Sequence, residues 1–256
     1  MAPGPCRVVF WNIRAGGGRR AGAIGDQIAA WKPDVIGLSE FRGTPASTAL
    51  AERLARSGWP HQIATTDPRA PARNALLLAS RWPLRRRRVA GMPVLRARWL
   101  LAKIDAPAPF TLGLLHAPNY TSPELKYPFL DAILDIVGRW RLGPVLIGGD
   151  TNSGLRDLDE ENPLGPGFHR EYAFIAGMGE RGWADAFRHL HGERREYTWY
   201  SHQNNGFRLD HVFLSRHLAP HLTACRHDWG TNPAEPDRRE GLSDHAAVVV
   251  DLLPRA

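Results

Sequence analysis

Apolar residues along this chain fall into two kinds of run. Some are short and continuous and bounded by Gly, Pro or charged residues, which marks strands; others recur at three- and four-residue spacing, which marks helices. Cys6 to Ile13, with Val8, Val9, Phe10 and Trp11, reads as a strand ended by the flexible Gly16-Gly17-Gly18. Ala21 to Trp31 places Ile24, Ile28 and Trp31 on one helical face, and Pro33 stops it. Asp34 to Ser39 then reads as a buried strand that delivers Glu40 to its C-terminal end. A helix is predicted over Ser47 to Arg56, and short strands around Gln62 to Ala64, Ala75 to Ala79 and Trp99 to Ile104. Phe110 to Leu115 is a further strand, presenting His116 at its end.

From Pro123 to about Trp140 the residues Leu125, Phe129, Ile133, Ile136 and Val137 have helical period. Pro144 to Ile147 returns as a strand into Gly148-Gly149-Asp150. Asn162 to Gly167 is rich in Gly and Pro and reads as loop; Tyr172 to Met178 reads as helix. Strands are predicted at Tyr197 to Tyr200, Leu209 to Leu214 and Ala246 to Leu252. No repeat of fixed period and no low-complexity linker divides the 256 residues, so one domain is expected. Many short strands, only some followed by a helix, fit two sheets packed face to face and covered by helices, an α/β arrangement without strict βαβ alternation.

Composition adjusts this picture in a few places. No apolar stretch is long enough to span a membrane and Met1 to Cys6 has no signal-peptide character, so a cytoplasmic protein is expected. Cys6 and Cys225 match no metal spacing and read as thiols of a reducing compartment. The formal charge is +7, which favours a phosphate-bearing partner, but the basic residues are almost all arginine, with lysine only at positions 32, 103 and 126. Arginine beside abundant Ala, Gly and Pro is also what a GC-rich coding bias produces. The run Arg85-Arg86-Arg87-Arg88 reads as a solvated edge that discourages further strand pairing.

Candidate chemistry lies where apolar runs end. Taken singly, each residue has an ordinary explanation: Asn12 as an Asx-turn, Glu40 as a solvated turn acid, Asp150 and Asn152 as a first-turn cap, His116 as a satisfied histidine. Asp210 is less ordinary, because an acid heading an apolar strand needs a partner when buried, and His245 is the partner expected. Hard oxygen donors beside an imidazole are what metal-assisted phosphoester hydrolysis requires.

Together the segments Phe10-Trp11-Asn12-Ile13, Gly37-Leu38-Ser39-Glu40, Gly148 to Asn152, Arg208 to Ser215 and Leu242 to His245 resemble the successive motifs of the endonuclease/exonuclease/phosphatase superfamily. The resemblance runs from Phe10 to about Leu252. It implies a four-layer α/β sandwich of two mostly antiparallel sheets, like deoxyribonuclease I, and a divalent-metal-dependent phosphodiester hydrolase. It implies Mg²⁺, with Mn²⁺ as a substitute, held by Glu40 with Asn12 and Asp244 nearby. Asp150 then activates the attacking water, Asn152 holds that water or a phosphoryl oxygen, and Asp210 fixes His245 as a stabiliser of transition-state charge. His116, or Tyr120, contacts the scissile phosphate.

Gly182 to Arg188, Tyr197 to Ser201 and Gly206 to Ser215 are similar to the C-terminal half of exonuclease III and the abasic-site endonucleases. That branch implies a substrate-binding pocket walled by Trp199, Phe207 and Leu209. Core packing is the competing explanation for these three. A short loop between Tyr200 and Phe207, and Arg42 after Glu40, depart from the branch pattern. DNA is the expected partner, with a small or lipid-borne phosphoester as the alternative substrate. No protein partner is indicated, and a monomer is expected.

Overall fold

The near-continuous apolar runs become the central strands of two sheets, because those strands are covered on both faces and need no polar side. The computed structural model describes residues 5–163, 169–230 and 241–253. The loop expected over 162–167 therefore lies largely outside the described residues. The first sheet is built from β1 (Cys6–Asn12), β2 (Val35–Phe41), β3 (His61–Ala64), β4 (Ala75–Ser80), β13 (Leu222–Asp228) and β14 (Ala247–Leu252), in the order β13-β14-β1-β2-β4-β3. The second contains β5 (Leu84–Arg86), β6 (Trp99–Ile104), β7 (Phe110–His116), β8 (Val145–Asp150), β9 (Ala184–Asp185) and β12 (Asp210–Leu214), in the order β5-β6-β7-β8-β12-β9. Each sheet has one parallel pair at its centre, β1 with β2 and β7 with β8, and antiparallel neighbours elsewhere.

Strand alternation assigns each side chain to a layer. Val8 and Phe10 of β1, Leu112 and Leu114 of β7, and Val248 and Val250 of β14 fill the space between the sheets. Val9 and Trp11 face outward instead, against α1 (Ala21–Trp31) and α2 (Pro45–Arg56). On the opposite outer face, Trp99, Leu101, Leu115 and Ile147 pack against α3 (Pro123–Gly138) and α4 (His169–Glu180). The result is a helix–sheet–sheet–helix sandwich. Phe10 sits at its centre, and Gly148 is required opposite it, since a Cβ there would lie 2.8 Å from the ring.

Besides some two-residue strands, the strand β13 and a short helix escaped the apolar pattern. β13 is an edge strand carrying Thr223, Arg226, His227 and Asp228, so it alternates weakly. The helix α5 (Ala186–His191) spans only 6 residues, too few to show a period, and is fixed by its cap: Asp185 accepts the N–H groups of Phe187 and Arg188. The arginine run does begin on an edge: among the described residues β5 pairs with β6 and no other strand. No helix of the described residues is long and apolar enough to cross a membrane, and both cysteines are free thiols.

One buried charge network ties the second sheet together. Arg208 is fully buried and its guanidinium grips two carboxylates, Asp159 (Nε to Oδ1, 2.7 Å) and Asp185 (Nη2 to Oδ2, 2.8 Å). Burial alone would push both acids up, but the Arg208 charge and the His211 ring outweigh it and hold both below the usual carboxylate range. Their contribution to stability is therefore complete above the unfolded carboxylate pKa and is lost as pH falls through the depressed folded values. Arg208→Ala removes the cation that two buried carboxylates share, leaving Asp159 to the Arg188 guanidinium and Asp185 to its two cap N–H groups, and a loss of about 3–5 kcal/mol is expected in urea unfolding. A change under about 1 kcal/mol would mean that water or another cation replaces the guanidinium.

Candidate active site

Strand register assembles the polar residues before any side chain is placed. β7 and β8 run parallel with His116 opposite Asp150, and β12 runs antiparallel to β8 with Asp210 opposite the same Asp150. On the other sheet the parallel pairing of β1 with β2 sets Asn12 beside Ser39, one residue before Glu40. His245 precedes β14 and is held by a bridge to Trp199, the first residue of a small hairpin of β10 (Trp199–Tyr200) and β11 (Gly206–Phe207). The central strands of both sheets thus end at one place.

Asp150 is the hub of this cluster. It is almost completely buried and accepts Asn12 Nδ2 on Oδ2 and the Asn152 N–H on Oδ1, each at 2.9 Å. Two imidazoles face the same Oδ2, His116 Nε2 at 3.7 Å and His245 Nε2 at 4.0 Å. The far nitrogen of His245, Nδ1, lies 2.8 Å from Asp210 Oδ2. The expected Asp210–His245 pair is therefore present, with Nε2 directed to the cleft. Thr198 Oγ1 holds the Asp210 N–H from behind, and Ser243 Oγ donates to the Asn12 carbonyl at 2.6 Å.

Glu40 differs from its sequence reading. It does not follow β2 but lies within it, as the extra residue of a β-bulge between Ser39 and Phe41, with φ of 56°. A bulge re-aims one side chain, and a left-handed glutamate persists only where its surroundings hold it. Here the β1–α1 loop does so, with Gly16 N–H on the Glu40 carbonyl at 2.8 Å and Ala15 N–H on Oε2 at 2.7 Å. Gly16 is required at φ of 72°, and a Cβ there would meet Ser47 Oγ at 2.6 Å.

Electrostatics separate Asp150, His245, His116 and the nearby Arg98. Burial pushes the Asp150 carboxyl up to about 7 despite the opposing His245 charge. Burial would lower His245, but the carboxylates of Asp210 and Asp150 overcome it and raise the imidazole to about 10. His116 is driven well below its ordinary value by burial and by the charges of Arg98 and His245, so it is neutral. Arg98 is itself partly buried and lowered by it, while Asp150 and Glu40 pull it back. Acid, neutral base and cation thus stand within one cluster.

A cleft of about 990 Å³ opens over this cluster. Asn12, Glu40, His116, Asp150, Asn152, Asp244 and His245 line its floor, and Tyr120, Trp199, Phe207 and Leu209 its walls, while Asp210 is hidden behind His245. His116 and Tyr120 occupy different places: His116 is buried beside Asp150, and Tyr120 is 66% exposed at the rim. Asn152 commits its amide Nδ2 to the Ala117 carbonyl at 2.9 Å, so Oδ1 is the end left for the cleft. Arg73 and Arg98 also line it, and sequence reading passed over both because nothing distinguishes them within an arginine-rich chain.

Two groups of donors could take a cation. Asp150, Asp210 and His245 bring ligand atoms within 4.8 Å of one another, but the Asp210–His245 hydrogen bond already joins two of them. Glu40 and Asp244 offer hard oxygens at the cleft and both act on the Arg20 charge, and Asn12 adds an Oδ1 that also accepts the Arg14 N–H at 3.0 Å. Oxygen-only donors suit Mg²⁺ better than a set containing imidazole.

No curated protein matches the sequence. Among solved structures, the fold is similar to the 3′-5′ exonuclease NExo from Neisseria meningitidis, with a TM-score of 0.75 and 20% identity over 96% of this chain and 99% of that one. A second structure of that kind, the 3′ phosphatase NExo from Neisseria bound to product DNA hairpin, gives a TM-score of 0.74 at 19% identity, with 96% and 99% of the two chains covered. An AP endonuclease from Archaeoglobus fulgidus gives 0.74 at 18% identity, again with 96% and 99% covered. At these identities the likeness is one of fold. The profile of the Endonuclease/Exonuclease/phosphatase family matches residues 9–245, a span that holds every cleft residue from Asn12 to His245, and the chain belongs to that family.

Proposed function

We propose that this protein is a divalent-metal-dependent phosphodiester hydrolase acting on DNA, with 3′ termini and abasic sites as its first candidate substrates. The observation that carries the reading is the sharing of one buried carboxylate oxygen, Asp150 Oδ2, by Asn12 and two imidazoles of opposite protonation tendency. Asp150 takes the proton of the attacking water, a task suited to a carboxyl raised toward neutrality. Asn152 Oδ1 orients that water. The His245 imidazolium, set by Asp210, donates from Nε2 to the phosphoryl oxygens as their charge grows. His116, neutral and adjacent, contacts the same group from the β7 side. Glu40, Asn12 and Asp244 would hold Mg²⁺, which would supply neutralisation of phosphoryl charge and ease departure of the alkoxide.

DNA is favoured by the breadth of the cleft and by Arg73 and Arg98 within it, a setting for a polyanion. The similarity in fold to proteins that process DNA 3′ ends and abasic sites supports the same choice. Trp199 and Phe207 pack with centroids 5.8 Å apart and planes tilted by 46°, and with Leu209 they form the wall for an unpaired sugar or base. The test is cleavage, with Mg²⁺ and with EDTA, of a 3′-phosphorylated duplex, a 3′-recessed duplex, a duplex with one abasic analogue and a bis-phosphodiester chromogen. Metal-dependent processing of a DNA substrate is expected; chromogen hydrolysis with all DNA untouched would overturn the choice of substrate.

Glu40→Ala is expected to weaken Mg²⁺ without abolishing the fold, because the bulge is also held through the Glu40 backbone. A metal titration read by calorimetry should shift its midpoint upward by about 10-fold or more. An unmoved midpoint removes Glu40 from the ligand set.

A further inference from the structure

Helix α3 carries a residue that its own pattern argues against. Phe129, Leu130 and Ile133 form its buried stripe, and Lys126, at three, four and seven residues before them, occupies the same face. Lys126 is completely buried. An ammonium in that position costs several kcal/mol that a leucine or methionine would not. The chain has only two other lysines, exposed Lys32 and partly exposed Lys103, so an incidental buried lysine is a poor account.

Its Nζ donates to the Asn152 carbonyl at 2.6 Å. Asn152 stands at φ of 48°, a left-handed conformation that must be held by its surroundings. Three tethers hold it: its N–H on Asp150 Oδ1, its Nδ2 on the Ala117 carbonyl, and its carbonyl on Lys126. They come from the end of β8, the exit of β7 and helix α3, and among the three donors only Lys126 carries a full charge. The charge of Asp150 acts on this ammonium as well.

Resting on the hydrolase reading above, we propose that Lys126 is a positioning residue for the reaction. It fixes the turn that carries Asp150 and Asn152, so that the water-activating carboxylate and the water-orienting amide keep one relative geometry. It acts on the reaction through Asn152, not as a group that takes part in the chemistry.

The experiment joins one spectrum with one mutant cycle. In protein labelled with ¹⁵N at lysine Nζ, one ammonium of the three is expected to be protected from exchange with water, and to be absent from the Lys126→Met spectrum. Lys126→Met should remain folded, since methionine fills the apolar stripe, and should lower kcat by about 10²-fold with KM held within roughly two-fold. The double variant with Asn152→Ala should be no slower than the slower single variant. Unchanged kcat, a loss confined to KM, or additive losses overturn the proposal. If Lys126→Met does not fold, Lys126→Gln takes its place in the cycle, and failure of both assigns Lys126 to stability alone and overturns it. An active wild type without a protected ammonium also overturns it, whereas an inactive wild type with one overturns the hydrolase reading.

Discussion

Asp150→Asn is expected to lower turnover by about 10⁴-fold while leaving stability within about 1 kcal/mol of the wild type. The two halves of this result have one cause. Asp150 is buried at the meeting point of β7, β8 and β12, where burial raises its carboxyl to about 7. A carboxyl raised in the folded state gives up stability as pH climbs from its unfolded value toward that folded value, because the native state binds the extra proton. Asparagine removes this penalty, keeps the volume and still accepts the Asn152 N–H, but its amide nitrogen gives up the bond from Asn12 Nδ2, which offsets part of the gain. It cannot take a proton from water. Initial rates under saturating metal and urea midpoints at neutral pH measure both halves. Near-normal turnover in this variant would falsify the assignment of Asp150 as the base, and a large fall in urea midpoint would show that Asp150 serves the fold instead.

How much of this was readable beforehand depends on what each residue must do. The central strands were legible because both of their faces are covered, so Val8 to Trp11 and Val145 to Ile147 had no reason to alternate with polar residues. The Asp210–His245 pair was legible because an acid at the head of an apolar strand needs a partner, and one was available next to Asp244. Glu40 was found but misplaced: its bulge depends on the register of β2 against β4, and register is a property of two strands that neither states alone. β13 was missed because an edge strand need not alternate cleanly. Lys126 left a signal, a lysine on an apolar stripe in a chain that prefers arginine. Its meaning required knowing that α3 packs beside the turn after β8.

His245→Ala is expected to cost about 10³–10⁴ in kcat, and Asp210→Asn about 10², with a changed pH response that identifies the mechanism. In the wild type, burial disfavours the imidazolium of His245, but Asp210 at 2.8 Å and Asp150 beyond it reverse the balance and carry its pKa to about 10. His245 therefore stays a charged donor through neutral pH. A histidine raised above its unfolded value contributes stability that is complete below about 6.5 and lost as pH rises toward about 10. Asp210→Asn removes the nearer charge, so the imidazolium should fade at lower pH in both readouts. The alkaline limb of kcat should move down, and the loss of stability between neutral and alkaline pH should become smaller than in the wild type. If instead kcat falls equally at every pH and the stability profiles remain parallel, Asp210 orients the ring without setting its charge. The donor role of His245 would then rest on geometry alone, with Nε2 held toward Asp150 and the phosphoryl group by the Trp199 bridge and the Trp11 indole on its carbonyl.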